Sequence, residues 1–344
     1  MNTSLTTSQS TALDQFGAQP LDRNPAATYL ASLPSPGSRR TMASSLNKLA
    51  RMLGTEPAYI EEPPSEDRRR RTRREVTYLF CKWEDLRFQH TSALRAKLAD
   101  QCSPKTASKD LSALRRVLEQ AWRLELMSRE EYARAADLKG ITGETLPAGR
   151  SVPTGELLAI MSECGNDPTP AGARDAAIIA VLYSGGLRRA ELVGLDLANY
   201  DAEAGELRVL GKRRKERIVP VVNGTVHALA DWLSVRGDDP GALFLPIRKG
   251  GHMQHGERLT TEAVWHMLKR REKAAGIKDL SPHDFRRTFV SDLLDAGADI
   301  ATVQRLAGHA NIQTTARYDR RPEAAKRKAA ELLHVPYARR RLAV

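Results

Sequence analysis

Long hydrophobic runs are missing from this chain. No apolar stretch approaches the roughly 20 residues that a membrane-spanning helix needs, and none near the N-terminus has the form of a secretory signal. The expectation is a soluble, cytoplasmic protein with no membrane partner. Cysteine is scarce too. Cys81, Cys102 and Cys164 are odd in number and widely spaced, which excludes a disulfide framework and a thiolate metal site and reads as reduced core thiols. Histidine offers no metal site either, because His252 and His255 in "GGHMQHG" have no third ligand nearby and sit in a loop-like segment. Internal repeats are absent. Acidic residues are in deficit: 42 Asp+Glu stand against 54 Lys+Arg, and a formal charge of +12 asks for a polyanionic partner, nucleic acid first.

At 344 residues the chain exceeds the ~250–300 at which single cores stop growing, so two domains are expected. Its 41% hydrophobic and 28% charged residues are the balance of a folded protein. Residues 1–20, polar and aperiodic, read as a flexible tail. Residues 21–142 read as helices throughout: one after a cap-like Ser38 with Met42, Leu46, Leu49 and Leu53 in register, one over Arg74–Trp83, one over Ser92–Asp100, and one in "SPKTASKDLSALRRVLEQAWRLEL". In the last, Leu111, Leu114, Val117, Leu118 and Ala121 face inward, leaving Lys105, Lys109, Arg115 and Arg116 outside. The run "RRRRTRRE" is either a phosphate grip, through Arg68, Arg69 and Arg70, or a solvated linker.

"GITGETLPAGRSVP" breaks the helical period, and 143–153 is read as an interdomain linker. The second domain, 154–344, opens with helices at Thr154–Glu163 and Ala171–Ser184. "GELRVLGKRRKERIVPV" then alternates as a β-hairpin does, with Leu207, Val209, Ile218 and Val219 supplying strand propensity. Helices return at Gly224–Leu233, Thr260–Ala275, Pro282–Ala296, Asp299–Leu306 and Pro322–Leu333.

Four motifs stand in order in this half: "SGGLRRAEL", "GKRRKERIVP", "SPHDFRRTF" and "LAGHANIQTTARY". Singly each is weak. Together, closed by a tyrosine, they resemble the tyrosine recombinase (phage integrase) family of site-specific DNA recombinases, closely from about Ser151 to Val335. The resemblance implies a mainly α, two-domain DNA clamp: a helical-bundle N-terminal core-binding domain, then a mixed, mostly helical catalytic domain with a small β-hairpin. It carries the catalytic roles onto Arg188, Lys212, His283, Arg286, His309 and Tyr318, with Tyr318 attacking a DNA phosphorus and taking the 3′-phosphate. Arg213 and Arg214 join the expected DNA contacts.

The chemistry agrees with those residue types. Phosphodiester cleavage gathers negative charge on nonbridging oxygens, and two guanidiniums clamp them with fixed, multidentate donors that lysine would not reproduce. His283 is the base candidate for the tyrosine proton, and His309 a hydrogen-bond donor to a nonbridging oxygen. The 5′-oxygen needs a proton, which a hairpin lysine among cations can supply. Glu191, one turn after Arg188, can orient an active-site cation or the Arg188 backbone. Two positions depart from the commonest pattern. Arg213 replaces a frequent glycine, leaving Lys212 or Lys215 as the acid, and Arg287 replaces a frequent histidine. The resemblance further implies no cofactor, no metal, double-stranded DNA carrying specific sites as partner, and a DNA-bound tetramer. The last helix, with Ala325, Ala329, Leu332 and Leu333 in one stripe, either packs on its own domain or passes to a neighbour. Type IB topoisomerase-like relaxation and a catalytically silent DNA-binding protein are the alternatives.

Overall fold

Several helix starts in this chain are set by a polar cap followed by proline. The computed structural model describes residues 15–16, 19–20, 23–62, 72–143, 149–211, 215–248, 250–318 and 330–331. The chain divides into two compact units, Met1–Pro147 and Ala148–Val344. Both are mostly helical, with small antiparallel sheets.

In the first unit β1 (Gln15–Phe16) pairs with β2 (Gln19–Pro20). Helix α1 (Pro25–Ala31) starts where Asn24 accepts from Ala27 N, and α2 (Pro36–Met52) where Ser35 accepts from Ser38 N, each with proline in the first turn. Ser35 is therefore the cap, and Ser38 lies inside the helix. Strand β3 (Tyr59–Glu62) pairs with β4 (Thr72–Glu75), and α3 (Phe88–Gln101), α4 (Pro104–Arg123) and α5 (Arg129–Ala136) follow. Leu111, Leu114, Val117, Leu118 and Ala121 of α4 are fully buried against α1, α2 and α5, each leucine contributing about 1.5–3 kcal/mol of burial.

The expected helix over Arg74–Trp83 is absent. Its start belongs to β4, and two single-turn 3₁₀ helices, Thr77–Leu79 and Trp83–Asp85, replace the rest. Cross-strand pairing accounts for the start: Glu61 faces Arg73, whose guanidinium lies 4.4 Å from the Tyr59 ring centroid. Two asparagines account for the rest. Asn47 donates to Glu75 O and accepts from Tyr78 N, and Asn24 donates to Leu79 O, satisfying backbone groups that a helix would have paired internally.

The second unit is built round α7 (Pro170–Ser184), whose Ala177, Ile178, Ile179, Val181 and Leu182 are buried on every side, as in a helix through the middle of a core. It follows α6 (Thr154–Gly165) and leads into α8 (Arg189–Val193). Next comes a three-stranded antiparallel sheet, β5 (Tyr200–Asp201), β6 (Glu206–Leu210) and β7 (Glu216–Pro220), with Leu207 opposite Val219 and Val209 opposite Arg217. Helices α9 (Gly224–Arg236), α10 (Thr261–Ala274), α11 (Pro282–Asp295), α12 (Ile300–Ala307) and α13 (Ile312–Ala316) complete it. Apart from residues 330–331, the expected helix Pro322–Leu333 lies outside the described residues.

Candidate active site

Helix α12 ends because Gly308 adopts the left-handed conformation, φ +64°. The last carbonyls of a helix have no partner within it and form its negative end. Here three guanidiniums from three separate elements meet three successive carbonyls. Arg217 Nε donates to Leu306 O at 2.9 Å, Arg286 Nη2 to Ala307 O at 2.6 Å, and Arg188 Nη2 to Gly308 O at 3.3 Å.

Local sequence explains how each arginine arrives. After α7, Gly186 turns the chain at φ +57°, where a Cβ would come within 2.3 Å of the Phe289 ring, so only glycine fits. Leu187 then buries and Arg188 emerges at the head of α8. Helix α11 is opened by Pro282 and by Asp284, which accepts from both the backbone N and the hydroxyl of Ser281. From it Arg286, 2% exposed, also donates to Gly186 O at 2.5 Å and so ties the turn before α8 to the end of α12. Arg217 comes from β7. Strand alternation puts it on the side of buried Val219, away from exposed Glu216 and Ile218.

Glu191 joins two of these cations. It accepts from Arg188 N at 3.0 Å, Arg188 Nη1 at 2.6 Å and Arg217 Nη2 at 2.8 Å. Burial opposes its ionisation, but the Arg217 and Arg188 hydrogen bonds win and hold its carboxyl below the usual carboxylate range. Three guanidiniums outnumber this one carboxylate, so the cluster keeps a net positive charge suited to an oxyanion.

His309 follows Gly308 directly. Its Nδ1 lies 2.9 Å from the hydroxyl of Thr315, which is fully buried on α13. With that hydroxyl donating, the neutral ring carries its proton on Nε2 and can give a hydrogen bond there. Burial, then Arg286 and Arg188, push the His309 pKa down to about 4. Burial and Arg286 also lower His283, so both rings are neutral at pH 7: one suited to donate, the other to accept. Arg286 is lowered to about 10, by burial first and then by Arg188, and stays charged. Helix α13 returns the chain so that the half-buried Tyr318 ring lies 6.3 Å from that of His309, centroid to centroid and 21° from parallel.

Of the residues singled out in the sequence, Arg188, Arg286, His309 and Tyr318 are therefore gathered on this one site, and His283, exposed on the first turn of α11, is near enough to feel the charges of Arg286 and Arg188. Lys212, Arg213 and Arg214 lie outside the described residues, as do Arg68, Arg69 and Arg70. Lys105 is exposed on α4, and Lys109 lies 3.4 Å from Asp110. Arg115 is spent internally, donating to Ala136 O at the end of α5 and to Leu138 O just beyond it. Sequence reading missed Arg217; the signal was an arginine at a core-facing position of an alternating strand. Among the described residues no group of three or more His, Cys, Asp or Glu is placed to hold a metal ion. His255 instead faces Asp239 at 3.5 Å.

Comparison with known proteins now places the chain. A sequence model of the phage integrase family matches residues 151–324, and the chain belongs to that family. Among its curated relatives is the tyrosine recombinase XerC of Shewanella amazonensis, 36% identical over 245 residues that make up 69% of this chain and 77% of that one. XerC of Corynebacterium glutamicum is 43% identical over 148 residues, 42% of this chain and 46% of the relative. The chain thus spans about half the length of this relative. Its fold is similar to that of the Tn1549 transposon integrase in complex with transposon right end DNA, with a TM-score of 0.64 and 17% identity over 90% of this chain and 99% of that one. A lambda integrase dimer bound to a COC′ core site gives 0.59 and 15% over 88% and 77%.

Proposed function

We propose that this chain is a site-specific DNA recombinase that cleaves and rejoins duplex DNA through a covalent 3′-phosphotyrosine at Tyr318 and exchanges strands between two sites. The observation that carries this reading is the end of α12, where Arg188 and Arg286 are fixed on adjacent carbonyls immediately before His309, with the Tyr318 ring beside it. Preorganised cations and donors of this kind stabilise charge as it develops, without reorganising during the step. Arg188 and Arg286 take the nonbridging oxygens, and His309 Nε2 donates to one of them. Neutral His283 receives the Tyr318 proton as the phenol oxygen bonds to phosphorus. The 5′-oxygen leaves with a proton from Lys212. Energy of the broken bond is kept in the phosphotyrosine, so rejoining needs no nucleotide.

The partner in this reading is double-stranded DNA, gripped by the first unit with Arg68, Arg69, Arg70, Lys105 and Lys109 among its contacts, and by Arg213 and Arg214 at the hairpin. Relatives whose names state recombination or integration, and fold neighbours bound to DNA, support it. Four protomers on two sites, working in the cytoplasm, complete the proposal. The test uses a duplex selected from a random-sequence pool by binding to the protein, nicked at successive positions and run on a denaturing gel. Wild type forms a covalent adduct with and without a divalent-metal chelator; Tyr318→Phe binds the duplex and forms none. An adduct with Tyr318→Phe would refute the assignment. Relaxation of supercoiled DNA without exchange between two sites would place the chain with the type IB topoisomerases.

A further inference from the structure

The residue after Arg286 carries a second guanidinium, set on the same helix one position further along. Arg287 is 7% exposed. Its Nη1 donates to Gly149 O at 2.8 Å, and its Cζ lies over the Tyr318 ring, 5.6 Å from the centroid. That is within the ~6 Å at which an aromatic face attracts a cation.

The carbonyl that holds Arg287 belongs to a strap laced along α11. Arg150 N donates to Asp284 Oδ1 at 2.9 Å, and Val152 N to Thr288 Oγ1 at 2.8 Å. Gly149 has φ +92°, and a Cβ there would stand 2.5 Å from Asp284 Oδ1, so the approach depends on glycine. The strap thus fixes one edge of the guanidinium, while its centre covers the tyrosine.

Among the described residues, Tyr318 also meets the ring of His309, 6.3 Å away between centroids. It lies two residues past the five-residue α13, held by Tyr318 N to Thr315 O at 2.9 Å, and it packs at the margin of a small cluster with Phe289, Val303 and Ala307. A nucleophile must meet its phosphorus within a narrow range of direction, and misplacement by about 1 Å can cost on the order of a hundredfold in rate. We infer that Arg287 is a positioning residue for the nucleophile: anchored by the Gly149 strap, its guanidinium holds the Tyr318 ring in the attacking orientation. This rests on the strand-cleavage reading above.

Arg287→Gln removes the charge over the ring and, because its amide stops about where Nε stands, loosens the hold on Gly149 O as well; Arg287→Lys restores the cation and so isolates the charge. The readout is the single-turnover rate of Tyr318 adduct formation on the selected nicked duplex, alongside duplex binding and thermal unfolding. Arg287→Gln should form the adduct about tenfold more slowly with binding and unfolding unchanged, and Arg287→Lys, which keeps a cation near the ring, should recover most of that rate. A wild-type rate for Arg287→Gln overturns the inference, as does a slowing matched by loss of binding or stability that Arg287→Lys does not recover. Should Arg287→Gln fail to fold, Arg287→Lys decides alone: a rate near wild type supports the hold, and a tenfold loss overturns it. Wild type is measured beside them. If it forms no adduct, strand cleavage fails; if it does and Arg287→Gln matches it, only the role of Arg287 fails.

Discussion

Replacing Glu191 by glutamine keeps its shape and removes one charge from a buried site where three donors converge. In the best amide orientation the NH₂ takes the place of Oε1 and faces Arg188 Nη1, so that ion pair is lost. The Arg188 side chain is 41% exposed, which limits the loss to about 0–1 kcal/mol. The Arg217 side chain is only 12% exposed, and its bond falls from one between two charges to one between a guanidinium and a neutral amide oxygen, costing about 1 kcal/mol more. Adding the now unbalanced repulsion among three guanidiniums gives a total of about 2 kcal/mol, against about 3–5 kcal/mol for Glu191→Ala, which strands buried charge outright. For a unit of this size that is a fall in Tm of about 4–8 °C at pH 7. Because the folded carboxyl titrates below its ordinary 4.5, its contribution is whole above that value and disappears as pH falls through the lowered one. Scanning calorimetry of the whole chain at pH 7 and through the acid range should therefore show the wild-type and Gln unfolding temperatures apart at pH 7 and converging as pH falls through the lowered value. A Gln variant that melts within about 1 °C of wild type at pH 7 would refute the claim that Glu191 holds these cations in place.

The histidines give the next test. His309, neutral in the fold down to about 4 against 6.5 when free, contributes stability that is whole above pH 6.5 and drains away as pH falls toward 4. His309→Gln should flatten that part of the stability curve in urea titrations, and the slope that remains belongs in part to His283, shifted in the same direction. An unchanged slope would mean that the ring is not held neutral. For the leaving oxygen, Lys212→Ala should be slow on ordinary DNA and largely rescued by sulfur at the 5′-bridging position, since a thiolate leaves without acid help. Rescue of Lys215→Ala in its place would move the acid three residues along the hairpin.

Helix α4 was legible because its cap and apolar period agree at Ser103–Pro104, whereas at α2 only the period was, since Ser35 and not Ser38 opens it. The hairpin was legible because alternation has no helical counterpart. Arg74–Trp83 was not, because what unmakes a helix there is the reach of Asn24 and Asn47 from distant positions. Helices α8 and α13, each five residues, are too short to show a period and are held by their surroundings. At the site, the order of the motifs pointed to the arginines, histidines and tyrosine as candidates. Arg217 stayed hidden because one of its partners is a main-chain carbonyl 89 residues away, which leaves no side-chain pattern to read.

The three carbonyls at the end of α12 also fix when the site can exist. Their arginine partners lie far back along the chain, Arg217 by 89 residues and Arg188 by 120, and the turn held by Arg286 precedes it by 100. Contacts that close such long loops carry their entropy cost before any return and form late in folding. During synthesis the earlier arginines emerge well before Leu306, Ala307 and Gly308; Glu191 can already pair with Arg188 and Arg217, but the three guanidiniums are not drawn together on one helix end until that stretch has been made and docked. On the proposed function, a nascent or truncated chain therefore carries a positive charge that draws it to DNA before it can assemble the site that would cut it.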